Sequence, residues 1–150
     1  MLYQVLNTGN EPSVLVVGDL MLDEHVHCAV TGISPEDDLA CKLRVLNRSY
    51  SPGGAANVAA NLCSLGAKVT LAGCIGNDEC GTHLLSLLHG MEVVSVAVED
   101  RPTTHKCRYI TSHGRHVTRV DSESSEALPT ASEDELLKRL AQDYDVVVLS

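Results

Sequence analysis

The sequence predicts an α/β fold: a mostly parallel sheet flanked by helices, with a small antiparallel β lid. Three observations carry this. Continuous apolar runs occur at residues 14–17, 69–74 and 146–149, and such runs suit strands covered on both faces of a parallel sheet. Stretches with helical periodicity lie between them, and strand alternating with helix is the pattern of a layered α/β fold. Two more polar stretches, residues 24–48 and 103–120, break that rhythm.

The elements follow in order. Val14–Val17 reads as a strand ending at Gly18-Asp19. In residues 24–48, "EHVHCAV" and "LACKLRVL" alternate partly around the turn "TGISPEDD". Residues 54–65 place Val58, Leu62 and Leu65 on one helical stripe, and Gly66 stops that helix. Residues 79–89 carry His83, Leu84, Leu87 and Leu88 at similar spacing before Gly90. Residues 103–120 read as a hairpin around Ser112-His113-Gly114. Residues 132–142 open on Ser132 with Glu135 three residues later, a capping-box pattern, and carry Leu136, Leu137 and Leu140.

Composition bounds the function. The 150 residues are 44 % hydrophobic and lack Phe and Trp, so Val, Leu, Ile and Ala must build the core. The formal charge of -9 argues against a nucleic-acid surface. No run approaches the length of a membrane span. The N-terminus shows no basic region followed by a long apolar stretch, so a cytoplasmic protein is expected. Six cysteines form no CxxC pair, which suits free thiols in a reducing compartment. His25, His27 and Cys28 lie close together, but their spacing matches no zinc motif, and no metal site is expected.

The stretch "SPGGAANVAANLCSLGA" at residues 51–67 carries the chemistry. Gly53-Gly54 permits a tight turn and lets a ligand approach the main chain. The helix that follows offers unpaired N–H groups and a partial positive charge. No Lys-Ser/Thr follows the glycines, so this is not a phosphate loop, and the dinucleotide spacing is also absent. Asn57, one turn in, can donate and accept at once, which suits sugar hydroxyls. A tight turn with Asn57 as a local cap fits the spacing equally well. Asp19 and Asp23 follow the first strand, where open α/β sheets place ligands, and carboxylates grip vicinal hydroxyls.

Together, "VLVVGDLMLDEHV", "GISPED", "SPGGAANVAANLCSLGAKVTLAGCIGND", "TTHKCRYI" and "TRVD" resemble the N-terminal half of a PfkB-type, ribokinase-like sugar kinase. The run "GDLMLDEHV…GISPE" points to the heptose 7-phosphate kinase branch. The resemblance covers about residue 12 to residue 150. It implies that residues 1–150 are the N-terminal part of one kinase domain, with lid segments at about 24–48 and 103–120. It implies a sugar site of Asp19, Gly53, Gly54 and Asn57, with Asp23 beside them. Lys106, Arg108 and Arg119 would then meet the phosphate of a sugar phosphate.

The implied reaction is transfer of the ATP γ-phosphate to the anomeric hydroxyl of D-glycero-D-manno-heptose 7-phosphate. ATP and Mg would be bound mainly by a C-terminal half, and the lid would make a homodimer. The family's Gly-Ala-Gly-Asp base motif and Asn-x-x-Glu magnesium motif do not occur here, so no catalytic residue is assigned and the chain alone is expected to be inactive. Another PfkB-type sugar or nucleoside kinase, or a non-catalytic sugar-binding or dimerisation module, remains an alternative reading of the same residues.

Overall fold

The computed structural model describes residues 11–140 and 143–150. Strands β1 (Ser13–Val17), β4 (Lys68–Gly76), β5 (Glu92–Val98) and β8 (Val146–Leu149) form a parallel sheet in the order β5-β4-β1-β8. Strands β2 (Leu20–Ile33), β3 (Cys41–Gly54), β6 (Thr104–Thr111) and β7 (His116–Ser122) form a second sheet in the order β3-β2-β6-β7. Helices α1 (Ala55–Ser64), α2 (Glu79–Leu87) and α3 (Thr130–Arg139) complete the described elements.

The second sheet is mixed rather than purely antiparallel, because β2 and β6 run parallel while β2–β3 and β6–β7 are antiparallel. The reason is geometric. β1 and β5 point the same way in the first sheet, and each continues from its C-terminal end into the second. Their continuations, β2 and β6, therefore arrive side by side in the same direction.

Alternation along β1 divides the core between the two faces of the first sheet. Val14 and Val16 join Val69, Leu71, Leu84 and the alanines of α1 on one face. Leu15 joins Ala72, Val96 and Leu136 of α3 on the other. Leu20 and Leu22 of β2 belong to the first cluster, so the second sheet shares its core with the first.

Two local expectations change, and one strand is as expected but more exposed. The buried residues of α1 are Ala55, Ala56 and Ala59; Val58 and Leu62 are only partly buried, and Leu65 is 55 % exposed. The helix packs on this core through its alanines, and Ala55 lies so close to the β1–β2 turn that a Cβ at Gly18 would come within 3.2 Å of its methyl group. The capping box at Ser132 does not form, because the helix starts two residues earlier, behind Pro129, with no side-chain cap. Its predicted last residues, 141 and 142, lie outside the described residues. β8 is paired with β1, but as the last strand in the sheet order it leaves Val146, Val147 and Leu149 exposed.

The end of α1 follows the sequence. Gly66 has φ +88, and the Ala67 N–H donates to the Leu62 carbonyl at 3.1 Å, closing the helix in a left-handed turn. Its start is more demanding. Gly54 has φ 55 and ψ -134, and a Cβ there would lie 2.5 Å from the Asp19 carbonyl oxygen. A Cβ at Gly66 would meet nothing within 4 Å. Gly54→Ala is therefore expected to cost about 1–3 kcal/mol for backbone strain, with the clash added to it. Gly66→Ala should cost only about 1 kcal/mol. Urea melts of both variants check this, and equal midpoints would contradict it.

Candidate functional site

The chain crosses between the sheets twice at one place. Gly18-Asp19 carries β1 into β2, and Gly54 carries β3 into α1. The Asp19 carbonyl accepts the Ala55 N–H at 3.0 Å, which ties the two crossings together. The Gly18 N–H donates to Ala72 at 3.2 Å, and the Asp19 N–H to Ser150 at 3.3 Å, which anchors the turn to its neighbouring strands.

The exposed Asp19 lines a cleft of about 170 Å³ at the C-terminal ends of β1 and β4, together with Gly18, Gly73, Cys74, Arg101 and Thr104. This is the end of an open α/β sheet where ligands bind. Beside it, α1 begins without any side-chain cap. Asn57 does not cap the helix: its side chain is exposed, and its amide oxygen accepts from Asn61 Nδ2 at 3.5 Å, one turn on. The first turn of α1 therefore presents backbone N–H groups and one exposed amide, although Asp23, Gly53, Gly54 and Asn57 do not line the cleft that Asp19 lines.

Asp23 lies against Gly53, where a Cβ would fall 2.6 Å from its Oδ2. The strand register places Lys106 beside Asp23, and Arg119 opposite Arg108. Asp23, Lys106, Arg108 and Arg119 thus share one face of the second sheet, and each cation there has an acidic partner. Arg108 pairs with Asp23. Lys106 Nζ lies 2.8 Å from Glu123 and 3.5 Å from Asp121, and Arg119 lies 2.9 Å from Asp121. The hydrogen bond to Glu123 raises the Lys106 ammonium above its ordinary range. Three carboxylates thus answer three cations on this face.

The three residues weighed as zinc ligands do not converge. Burial alternates along β2, with Cys28 on the inner face and His25 and His27 on the outer one.

Sequence reading missed Asp78. Its carboxylate accepts from the Gly81 N–H at 2.7 Å at the start of α2, from the Thr103 N–H at 2.8 Å and from the Thr103 hydroxyl at 2.7 Å. Thr103 Oγ1 in turn accepts the Gly76 N–H at 2.9 Å. Asp78 therefore holds the segment that lines the cleft with Arg101 and Thr104 and then opens β6. The available signal was an Asp just before a helix, with a donor three residues later.

Burial pushes the Asp78 carboxyl up, but the bonds from Thr103 and Gly81 outweigh it and hold it below its usual range. A carboxyl depressed in the folded state stabilises fully above its unfolded value of about 3.9, and the gain is lost as pH falls through the folded value. Asp78→Ala should cost about 1–3 kcal/mol at pH 7, since it strands buried donors. The stability gap to wild type should narrow below about pH 4. Urea melts at both pH values measure this, and a gap that widens in acid contradicts it.

Comparison with known proteins sets this geometry in a family. The chain matches the family described as "pfkB family carbohydrate kinase" over residues 11–150. It is 41 % identical over 133 residues to the bifunctional protein HldE of Hyphomonas neptunium, covering 87 % of this chain and 27 % of the relative. It is 37 % identical to the bifunctional protein HldE of Koribacter versatilis, covering 100 % of this chain and 32 % of that one. The chain thus spans about a third of the length of these relatives. Among solved structures, phosphofructokinase-2 from Escherichia coli in complex with fructose-6-phosphate superposes with a TM-score of 0.69 at 25 % identity, over 93 % of this chain and 45 % of that one. A putative ribokinase from Agrobacterium tumefaciens gives 0.63 at 20 % identity, over 93 % and 44 %. The chain belongs to the pfkB family of carbohydrate kinases.

Proposed function

We propose that this chain forms the sugar-binding part of an ATP-dependent carbohydrate kinase that phosphorylates the anomeric hydroxyl of D-glycero-D-manno-heptose 7-phosphate. The observation that carries the reading is the uncapped start of α1 at Gly54, set beside Asp19, Asp23 and the exposed Asn57. Its N–H groups and these side chains suit a polyhydroxyl ligand at the C-terminal end of a parallel sheet. The heptose assignment rests on the run "GDLMLDEHV…GISPE", with the bifunctional HldE relatives, 37–41 % identical over most of this chain, in support.

Phosphoryl transfer depends chiefly on positioning and charge stabilisation. In this reading Asp19 and Asn57 hold the sugar hydroxyls. The Gly53-Gly54 backbone holds the sugar beside them. Asp23 takes a further hydroxyl through the oxygen that Arg108 leaves free. Lys106, Arg108 and Arg119 answer the substrate's phosphate, which must draw at least one of them from its carboxylate.

ATP with Mg supplies the phosphoryl group. In this reading, as the family resemblance implies, ATP, Mg and the catalytic base belong mainly to a C-terminal half of the kinase domain. The same reading includes residues 24–48 and 103–120 as lid segments, a cytoplasmic setting and a homodimer through the second sheet. Val30, Ile33, Val45, Leu46 and Val120 of that sheet are exposed apolar residues in support of the dimer. No helix among the described residues is long and apolar enough to cross a membrane.

Two measurements test the reading. Calorimetric titration with heptose 7-phosphate should show that Asn57→Ala lowers affinity about 3- to 100-fold, the worth of one to two hydrogen bonds, while urea melts change by less than about 1 kcal/mol. Unchanged affinity with a loss of about 2 kcal/mol or more would make Asn57 structural. In a coupled ADP-release assay, these 150 residues alone should stay far below the roughly 1 s⁻¹ at which enzyme turnover begins. Turnover at that rate would place the catalytic base within them.

A further inference from the structure

The inner face of the second sheet carries a cluster that the candidate site does not use. Glu24 on β2 and His105 and Cys107 on β6 each bring a ligating atom to one place, all within 4.8 Å of one another. No other such group of three occurs among the described residues. The register sets Glu24 beside Cys107, and alternation turns these side chains away from the face of Asp23 and Arg108. Glu24 is 4 % and Cys107 6 % exposed. His105 Nε2 is shut off from solvent and faces Glu24 Oε2 at 2.9 Å, an ion-pair contact without a well-formed hydrogen bond. A cation between the two atoms would satisfy both.

We propose that Glu24, His105 and Cys107 form a binding site for a thiophilic divalent cation of the zinc class, held between β2 and β6. One oxygen, one imidazole nitrogen and one sulfur make a donor set that zinc accepts, with a fourth position left for water. Zinc bonds of about 2.0–2.3 Å give tetrahedral edges of about 3.3–3.6 Å, so the cluster needs only small side-chain rotations to close. Arg48 holds the Oε1 oxygen of Glu24 and leaves Oε2 facing His105. Such an outer contact orients a ligand. On binding, the Cys107 thiol releases its proton to solvent, and its thiolate and the Glu24 carboxylate, the latter shared with Arg48, offset most of the positive charge. The cation would pin the two central strands directly behind Asp23, Lys106 and Arg108.

The test is competition for Zn²⁺ between the reduced protein and a chromophoric chelator, with Co²⁺ absorption as a second readout. One Zn²⁺ per chain is expected, with a thiolate-to-cobalt charge-transfer band. Loss of an outer contact alone weakens metal sites about 10- to 100-fold, so Cys107→Ser, His105→Gln and Glu24→Gln should each cost at least that much. Cys41→Ser, at an exposed cysteine, should bind as wild type does. Zn²⁺ should raise the Tm of wild type but not of Cys107→Ser. Circular dichroism of the metal-free variants shows which of them fold. If Cys107→Ser does not, the cobalt band of wild type and the affinity of His105→Gln decide. The proposal is overturned if Zn²⁺ fails to compete with the chelator. It is equally overturned if Co²⁺ shows no thiolate band, or if the folded ligand variants bind as tightly as wild type. Each of these results would leave Glu24 as a buried partner of Arg48 and His105 alone.

Discussion

The close approach of Gly54 to the Asp19 carbonyl is the constraint on which the two-sheet arrangement rests. The chain leaves the parallel sheet at Gly18-Asp19 and returns to it at Gly54. The Ala55 N–H bonded to the Asp19 carbonyl closes both crossings at one point. That bond forms only because Gly54 has no side chain, since a Cβ there would lie 2.5 Å from the accepting oxygen. It also seats α1 against β1 and β2, which explains why the buried residues of that helix are alanines. Neighbouring Gly53 serves a different contact, leaving room for the Asp23 carboxylate. The two glycines therefore perform separate tasks within one turn.

Much of the parallel sheet was legible because its inner strands are covered on both faces. β1 and β4 show this as unbroken apolar runs. The same signal holds at β8, which pairs parallel with β1 as expected, with most of its apolar side chains exposed. In α1 the helical periodicity placed Val58, Leu62 and Leu65 on the apolar stripe. Burial followed the smallest residues instead, because packing distance rather than hydrophobicity decides that face. The polarity of the second sheet was legible, but its mixed direction was not. Parallel pairing of β2 with β6 follows from where two distant strands leave the first sheet, and no local pattern encodes that.

Burial alternation in β2 separates two kinds of chemistry with one-residue spacing. Asp23 points outward to Arg108, and Glu24 points inward to Arg48 and His105. From the sequence, Asp23 and Glu24 are a plain acidic pair. Its place just after the first strand singled out Asp23, and nothing singled out Glu24. Burial pushes the Glu24 carboxyl up, but the bond from Arg48, with help from Cys107 and His105, holds it below its usual range. His105 and Cys107 lie some 80 residues away in sequence and meet Glu24 only through the parallel ladder. Sequence spacing therefore drew attention to His25, His27 and Cys28, which alternation sends to opposite faces.

The charge pattern of the outer face bears on how a sugar phosphate would be recognised there. Lys106, Arg108 and Arg119 are matched by Asp23, Asp121 and Glu123, so these three offer no surplus positive charge. A hydroxyl group can bind such a face without breaking it. It donates to a carboxylate oxygen while the opposite oxygen keeps its cation, and each carboxylate has acceptor capacity to spare. A phosphate cannot, because it competes with the carboxylate for the same donors. Its gain is only the difference between two charge-assisted bonds, less the cost of leaving a partly buried carboxylate unpaired. Arg119 is the least committed of the three cations, with its side chain 56 % exposed. An exposed pair of this kind contributes about 0–1 kcal/mol, so it is the first that a phosphate can take over. On the proposed function, selectivity among sugars would come from the hydroxyl contacts at Asp19, Asp23 and Asn57. The phosphate would add orientation more than affinity.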